Sequence, residues 1–384
     1  MKGLKVAIVL GVLTAAAIAA WWWLRPRSQP ESASRPAVER TPYLPARLAT
    51  ACIAAVEKPN GTKALLADAG AEVYRSSLET LGFICSAPMA GAERKYDLVF
   101  ATMQSSAAEL KRLAAERLGE TGVLVQVVDA FELTGTRFKE LADGFPCEQV
   151  HLWMPGAFEW LFVGRVTPRR LKLEAMMEVF MRETAFELLA EARTTALSDL
   201  FAAYVGTRDD WGDALRSREL NRPVQPAFFV TREIPSLAWI DLGGVDEDIA
   251  GQTLAEIRSM QVVRRLVMEG ELASEAGRAE EATEAWSRAR KRNPKDLFLL
   301  ERCACLRRNA SALERIGNNA AAAKCYETLI LINPADADAV LDYGLCLKRL
   351  GRVSESKQVL WRAKELQFQQ VKANQAQRNS EEKK

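Results

Sequence analysis

The stretch Tyr96-Asp97-Leu98-Val99-Phe100 opens a run that decides the fold and ends at Gly164. It continues through Gly122-Val123-Leu124-Val125-Gln126, then Phe145-Pro146, Leu152-Trp153 and Trp160-Leu161-Phe162-Val163-Gly164. The short β-branched and aromatic runs read as strands. One helical pattern, Ala107 to Leu118, separates the first two and makes them a βαβ unit of a parallel sheet. The last two apolar runs, with Pro155-Gly156 between them, read as an antiparallel hairpin at the sheet edge.

Working outward toward the N-terminus, Arg47 to Val56 is a short amphipathic helix candidate. Gly61-Thr62 then turns into an apolar strand, Lys63 to Ala67, and Asp68-Ala69-Gly70-Ala71 leads to a helix over Glu72 to Leu81. A strand, a turn of small residues and a helix is where an α/β fold brings its backbone against a nucleoside ligand. Asp68 and Gly70 are therefore the candidate cofactor-binding residues. Phe83 to Ser86 follows as a short strand. The 26 residues from Gly70 to Tyr96 fall short of the roughly 30 that a βαβ unit takes, so one unit is shortened or lost.

These segments resemble the spermidine-synthase-like domain, the S-adenosylmethionine methyltransferase fold of the aminopropyltransferases. The resemblance rests on the strand beginning Tyr96-Asp97, on Gly122-Val123-Leu124-Val125-Gln126, and on Phe145-Pro146 leading to Leu152-Trp153; Leu220-Asn221 adds to it near the domain's end. It spans roughly residues 60 to 230. It implies a reduced Rossmann-like sheet and, as ligand, an S-adenosylmethionine-type nucleoside.

Measured against that resemblance, four features depart. The family's glycine run is reduced to Gly70, and each flanking alanine adds a Cβ at a site of close approach. Ala87-Pro88 stands near the place of the acid that would bind the ribose hydroxyls. The family's strand ends on an acid that helps deprotonate the attacking amine. Here it ends on Thr102, whose hydroxyl is no base near neutral pH. Met103-Gln104-Ser105-Ser106 passes straight into Ala107, leaving no room for a covering loop.

No catalytic residue is therefore expected. Asp97 sits at a strand start, and Asp129 and Glu132 read as strand-end acids. His151 reads as a sheet residue, because no Ser or Cys nucleophile context accompanies it. Leu171 to Ala202 reads as two amphipathic helices. Their Met176, Met177, Phe180, Met181, Phe186 and Leu188 stripe faces the core.

From about Val262 the pattern changes to paired helices. Gly270, Gly277, Ala282, Trp286, Ala289 and Pro294 form one set. Ala310, Gly317, Ala322, Tyr326 and Pro334 form a second, and Gly344, Gly351 and Ala363 a third, with Leu360 in the aromatic slot. The sets resemble tetratricopeptide repeats: Gly317 and Gly351 are 34 residues apart, the period of that family. The resemblance implies small residues where two helices cross and a groove that binds a protein or peptide partner. Arg307, Arg315, Lys348 and Arg349 fall on its inner face as candidate partner-binding residues. A merely solvated helical face is the other reading of the same charges.

At the other end, Lys2 and Lys5 precede an uncharged apolar run, Val6 to Leu24. Nineteen helical residues span about 28 Å, close to the roughly 30 Å of a bilayer core. Trp21-Trp22-Trp23 followed by Arg25 and Arg27 looks like an interfacial belt with a charged stop. That predicts a transmembrane anchor at the cell membrane. A cleaved signal peptide is the alternative, with Ala17-Ile18-Ala19 as its site. Arginines and lysines on both sides leave the sidedness of the body open.

The 384-residue chain has a formal net charge of +2, which gives no basic excess for nucleic acid. Seven cysteines without framework spacing and a single histidine argue against a disulfide scaffold and a metal site. The expected fold class is α/β plus α: a reduced methyltransferase-fold sheet followed by an α-helical repeat array, with an N-terminal transmembrane helix. The expected boundaries are an anchor over 1–24, a linker over 25–44 and the α/β domain over 45–235. A connector follows over 236–254, then repeats over 255–368 and a polar, frayed tail over 369–384. Two functions are compatible with this. One is a non-catalytic, membrane-anchored interaction scaffold. The other is a transferase, or a nucleoside sensor, for an S-adenosylmethionine-type donor.

Overall fold

The computed structural model describes residues 44–88, 95–130, 133–194, 196–211 and 235–381. The apolar run Val6 to Leu24, the linker, Glu132 and the segment around Leu220-Asn221 lie outside the described residues.

Short, largely buried apolar runs build a mixed sheet. Its strands are β1 (Lys63–Leu66), β2 (Ile84–Ser86), β3 (Tyr96–Ala101), β4 (Leu118–Asp129), β5 (Gln149–Trp153), β6 (Glu159–Arg165) and β8 (Tyr204–Thr207). The spatial order is β2-β1-β3-β4-β6-β5-β8. Strands β2, β1, β3 and β4 pair in parallel, whereas β6 is antiparallel to both β4 and β5, and β8 is antiparallel to β5. A short β7 (Leu171–Lys172) pairs separately with β9 (Ile240–Asp241).

The β5–β6 hairpin forms, but not at the edge: β6 is inserted between β4 and β5, and β8 closes that side. The reason lies in its composition. Trp160 to Val163 are all fully buried, and a strand covered on both faces carries a continuous apolar run rather than an alternating one.

One face of the sheet, with Leu66, Phe100, Val125, Leu161 and Val163, packs against α1 (Leu44–Glu57) and the region 171–203. The opposite face presents Leu65, Val99, Leu124 and Phe162 to α3 (Ala107–Arg117) and α4 (Gly135–Gly144). A small α2 (Arg75–Thr80) joins β1 to β2. The helix expected to be amphipathic over Arg47 to Val56 is α1, and it is buried almost all round, from Ala46 through Glu57 apart from Arg47. Sheet covers one side of it and helices cover the other, so no face meets water.

The region 171–202 differs more. In place of two long helices it has α5 (Leu173–Glu178), two single 3-10 turns, α6 (Phe186–Glu191) and α7 (Leu197–Phe201). Because the chain turns so often, the expected apolar stripe splits. Met176 is buried, while Met181 and Phe186 are 83% and 72% exposed.

The C-terminal part is a helical array. It consists of α8 (Glu247–Glu275), α9 (Ala279–Arg292), α10 (Leu297–Arg315), α11 (Asn319–Ile332), α12 (Ala337–Arg349) and α13 (Val353–Glu381). These pack as successive antiparallel pairs. Gly277, Gly317 and Gly351 end the first helix of each pair with φ of +72°, +77° and +76°, a conformation that Gly adopts without a Cβ penalty. Two boundaries shift from expectation. Helix α8 starts inside the expected connector, and its Ala250 and Ile257 pack into the sheet core. Helix α13 continues to Glu381, through the tail expected to fray, because the segment has no Gly or Pro and is rich in helix-forming Gln, Lys, Ala, Glu and Arg. Among the described residues no helix is long and apolar enough to cross a membrane.

Candidate functional site

The order of strands reverses between β1 and β3, since β2 lies on one side of β1 and β3 on the other. Ligands of open α/β sheets bind in the crevice outside the carboxyl ends of strands at such a point. Asp68 and Gly70 follow β1 there, and Thr102 follows β3.

These residues converge, but on one another. The Asp68 carboxylate accepts from the Thr102 N–H at 2.8 Å, the Thr102 hydroxyl at 2.8 Å, the Ser105 hydroxyl at 2.6 Å and the Ala71 N–H at 3.0 Å. Four donors saturate a carboxylate's acceptor sites. The Gly70 N–H donates to Gln104 Oε1 at 3.3 Å. Gly70 has an ordinary right-handed conformation, so its backbone does not require glycine. Space does: a Cβ there would stand 2.5 Å from Thr102 Oγ1 and 3.0 Å from Thr102 Cγ2. The room a glycine turn would give to a ligand is occupied by the threonine.

Beside this lies a polar cluster of which sequence reasoning reached Asp129 but not Glu159 or Glu301. Asp129, at the end of β4, faces Glu159 across the ladder, and its N–H donates to Met103 Sδ at 3.1 Å. The Glu159 carboxylate accepts from the Thr50 and Tyr74 hydroxyls. Burial pushes its pKa above the usual carboxylate range against the pull of those donors. Glu301, reaching over from α10, accepts the Ala157 N–H at 2.6 Å and is almost fully buried. Burial first, and the Glu159 charge next to it, push its carboxyl up to about 7, while the Ala157 and Phe158 amides and Arg308 pull it down. Contacts so distant in sequence carry no local signal.

His151 is a fully buried sheet residue. Its Nε2 lies 3.4 Å from Arg165 Nη1 and its Nδ1 3.2 Å from the Tyr204 hydroxyl. Arginine can only donate, so Nε2 accepts and the proton sits on Nδ1, facing Tyr204. Burial, and then the Arg165 charge, hold its pKa well below the ordinary value. Arg165 in turn pairs with Glu57, whose other oxygen accepts the Trp153 Nε1–H at 3.1 Å. No Ser or Cys is bonded to the ring in this network. Asp97 accepts from Thr62 N at 2.9 Å and Lys63 N at 3.0 Å, tying the start of β1 to β3. Burial disfavours its charge, but those amides and Lys58 outweigh that and leave its pKa low.

On the array, the four candidate cations divide into two pairs. Arg307 makes a two-pronged contact with Asp336 at 2.7 and 2.8 Å, and Asp336 also caps α12 through the Ala339 N–H. Arg349 pairs with Glu314. Arg315 and Lys348 are exposed, with no ion pair among the described residues. Of the four, Arg307 and Arg349 are already engaged by acids of the array.

No protein-family model matches the chain, and no curated protein matches it. Among solved structures, one titled crystal structure of MamA protein is 18% identical, with a TM-score of 0.18, and the match covers 33% of this chain and 66% of that one. The chain thus spans just under two thirds of the length of that protein, and a TM-score so low carries no weight for fold or function.

Proposed function

We propose that the protein is an interaction scaffold, in which a degenerate spermidine-synthase-like domain serves as structure and tetratricopeptide-like repeats recruit a protein or peptide partner. The observation that carries this reading is the closed switch-point crevice. Asp68 is saturated by its own neighbours, and Thr102 fills the space against Gly70. The 34-residue step between Gly317 and Gly351, both in left-handed turns, supports the repeat reading. The apolar run Val6 to Leu24 with its Trp21-Trp22-Trp23 belt supports a membrane anchor.

The test is crosslinked capture of partners from membranes with the wild type and with Arg315→Glu/Lys348→Glu. The reading expects a partner set that the double variant loses. An unchanged set sinks the groove. A second reading, a transferase or nucleoside sensor, has in its favour the strand-order reversal at β1 and β3 with an acid at that point.

A further inference from the structure

The segment from Pro235 to Gly243 is held as a fixed wall. Trp239 and Ile240 near its middle are buried. The Trp239 ring lies edge-on to His151, with ring centres 4.6 Å apart, and the Arg165 guanidinium lies over it at 5.0 Å. The Trp239 carbonyl accepts the Leu171 N–H at 2.9 Å, and β7 pairs with β9 directly after it. At the start of the segment, the Pro235 carbonyl accepts from Gln261 Nε2 of α8 at 3.4 Å.

Between this wall and α8 lies a cavity of about 730 Å³, within the roughly 300–1,000 Å³ typical of small-molecule sites. Leu237 and Leu242 of the wall and Leu254 of α8 give it an apolar side. Arg170, just before β7, and Arg258 of α8 add two guanidiniums. Both are exposed, and neither makes an ion pair among the described residues. One acid, Asp241, lines the cavity as well, and its Oδ1 accepts the Gly243 N–H at 3.1 Å. The Gln261 side chain also borders the cavity. Gln261 is 2% exposed, and its Oε1 has no hydrogen-bond partner among the described residues. A buried acceptor without a donor is costly, and the described wall supplies none.

We propose that this cavity binds a small organic monocarboxylate with an apolar body and a hydroxyl or amide N–H next to the acid group. The two arginines take the carboxylate, for which their planar donors are suited. The leucines take the apolar body. Gln261 Oε1 accepts from the hydroxyl or N–H. Asp241 selects against a second negative charge. Two guanidiniums against one carboxylate leave a lining charge of +1 among the described residues, which matches a monoanion and repels the second charge of a phosphate ester. The wall is already fixed by its ties to β7, His151 and α8, so little ordering opposes binding. The site shares no residue with the switch-point crevice or with the groove that holds Arg315 and Lys348, and it stands apart from the scaffold reading.

The experiment is calorimetric titration of three probes into the full chain in detergent: 3-phenyllactate, 3-phenylpropionate and phenyl phosphate. The first is expected to bind one per chain, with a dissociation constant below about 1 mM. The second lacks only the hydroxyl and should bind about threefold or more weakly. The third should bind more weakly than the first. Arg170→Gln and Arg258→Gln should each raise the 3-phenyllactate dissociation constant by about fivefold or more. Both positions are exposed, and unchanged circular dichroism verifies that the variants fold. Absence of saturable heat with 3-phenyllactate overturns the proposal, and so does binding that both variants leave unchanged. Equal binding of 3-phenylpropionate overturns the Gln261 contact, and equal or tighter binding of phenyl phosphate overturns the choice of a monocarboxylate.

Discussion

Thr102 donates to Asp68 from both its N–H and its hydroxyl, and its Oγ1 and Cγ2 lie where a Cβ on Gly70 would stand. Gly70→Ala should therefore destabilise the fold by about 1–3 kcal/mol through overpacking, and Thr102→Ala made alongside it should recover part of that loss. Urea unfolding of the two single variants and the double variant measures the coupling. Glu301 gives a second residue-scale expectation. Its carboxyl titrates near 7 when folded, against an ordinary value of 4.5. Over that window the folded state holds more protons than the unfolded one, so stability falls as pH rises from about 4.5 to about 7. Glu301→Gln, neutral throughout, should flatten this part of the pH–stability curve. The sequence made Asp68, Gly70 and Thr102 legible because they follow strands in a recognisable order. It hid Glu301, because the amide that Glu301 binds is 144 residues away in the chain.

At the scale of elements, patterning identified the helix pairs of the array, where one face is buried and one wet. Strands β3 and β4, buried on both faces, were found instead from their short β-branched runs. Placement failed where elements are covered on every side. The run Trp160 to Val163 of β6 was read as part of an edge hairpin although its unbroken apolar character fits a strand covered on both faces, and α1 looked half-polar only because small residues gave it little contrast. Helix crossings were legible from small residues. Gly270 lies against Trp286 and Gly344 against Leu360, with a Cβ at either glycine 2.4 or 2.7 Å from the facing side chain. Gly344→Ala should lower array stability by about 1–3 kcal/mol, read as a shift in the thermal midpoint of the helical signal.

On the scale of the whole molecule, the array and the sheet share their cores. Ala250 and Ile257 of α8 belong to one sheet face and Met268 to the other, while Ala157 of the hairpin packs among array residues. Arg264 adds a buried tie, donating to Ala202 O with its guanidinium 5.2 Å from the Phe298 ring centre. The described body should therefore unfold in one cooperative transition. Tryptophan fluorescence and far-ultraviolet circular dichroism should report the same midpoint, and two separated midpoints would show that the array unfolds alone. The central claim, that the switch-point crevice is closed to nucleosides, is tested most directly by calorimetric titration of S-adenosylmethionine, its decarboxylated form and methylthioadenosine into the full chain. The closed crevice gives no heat and no thermal shift at millimolar ligand. Binding tighter than about 100 μM, roughly −5.5 kcal/mol, would contradict it and give the molecule back to the transferase or sensor reading.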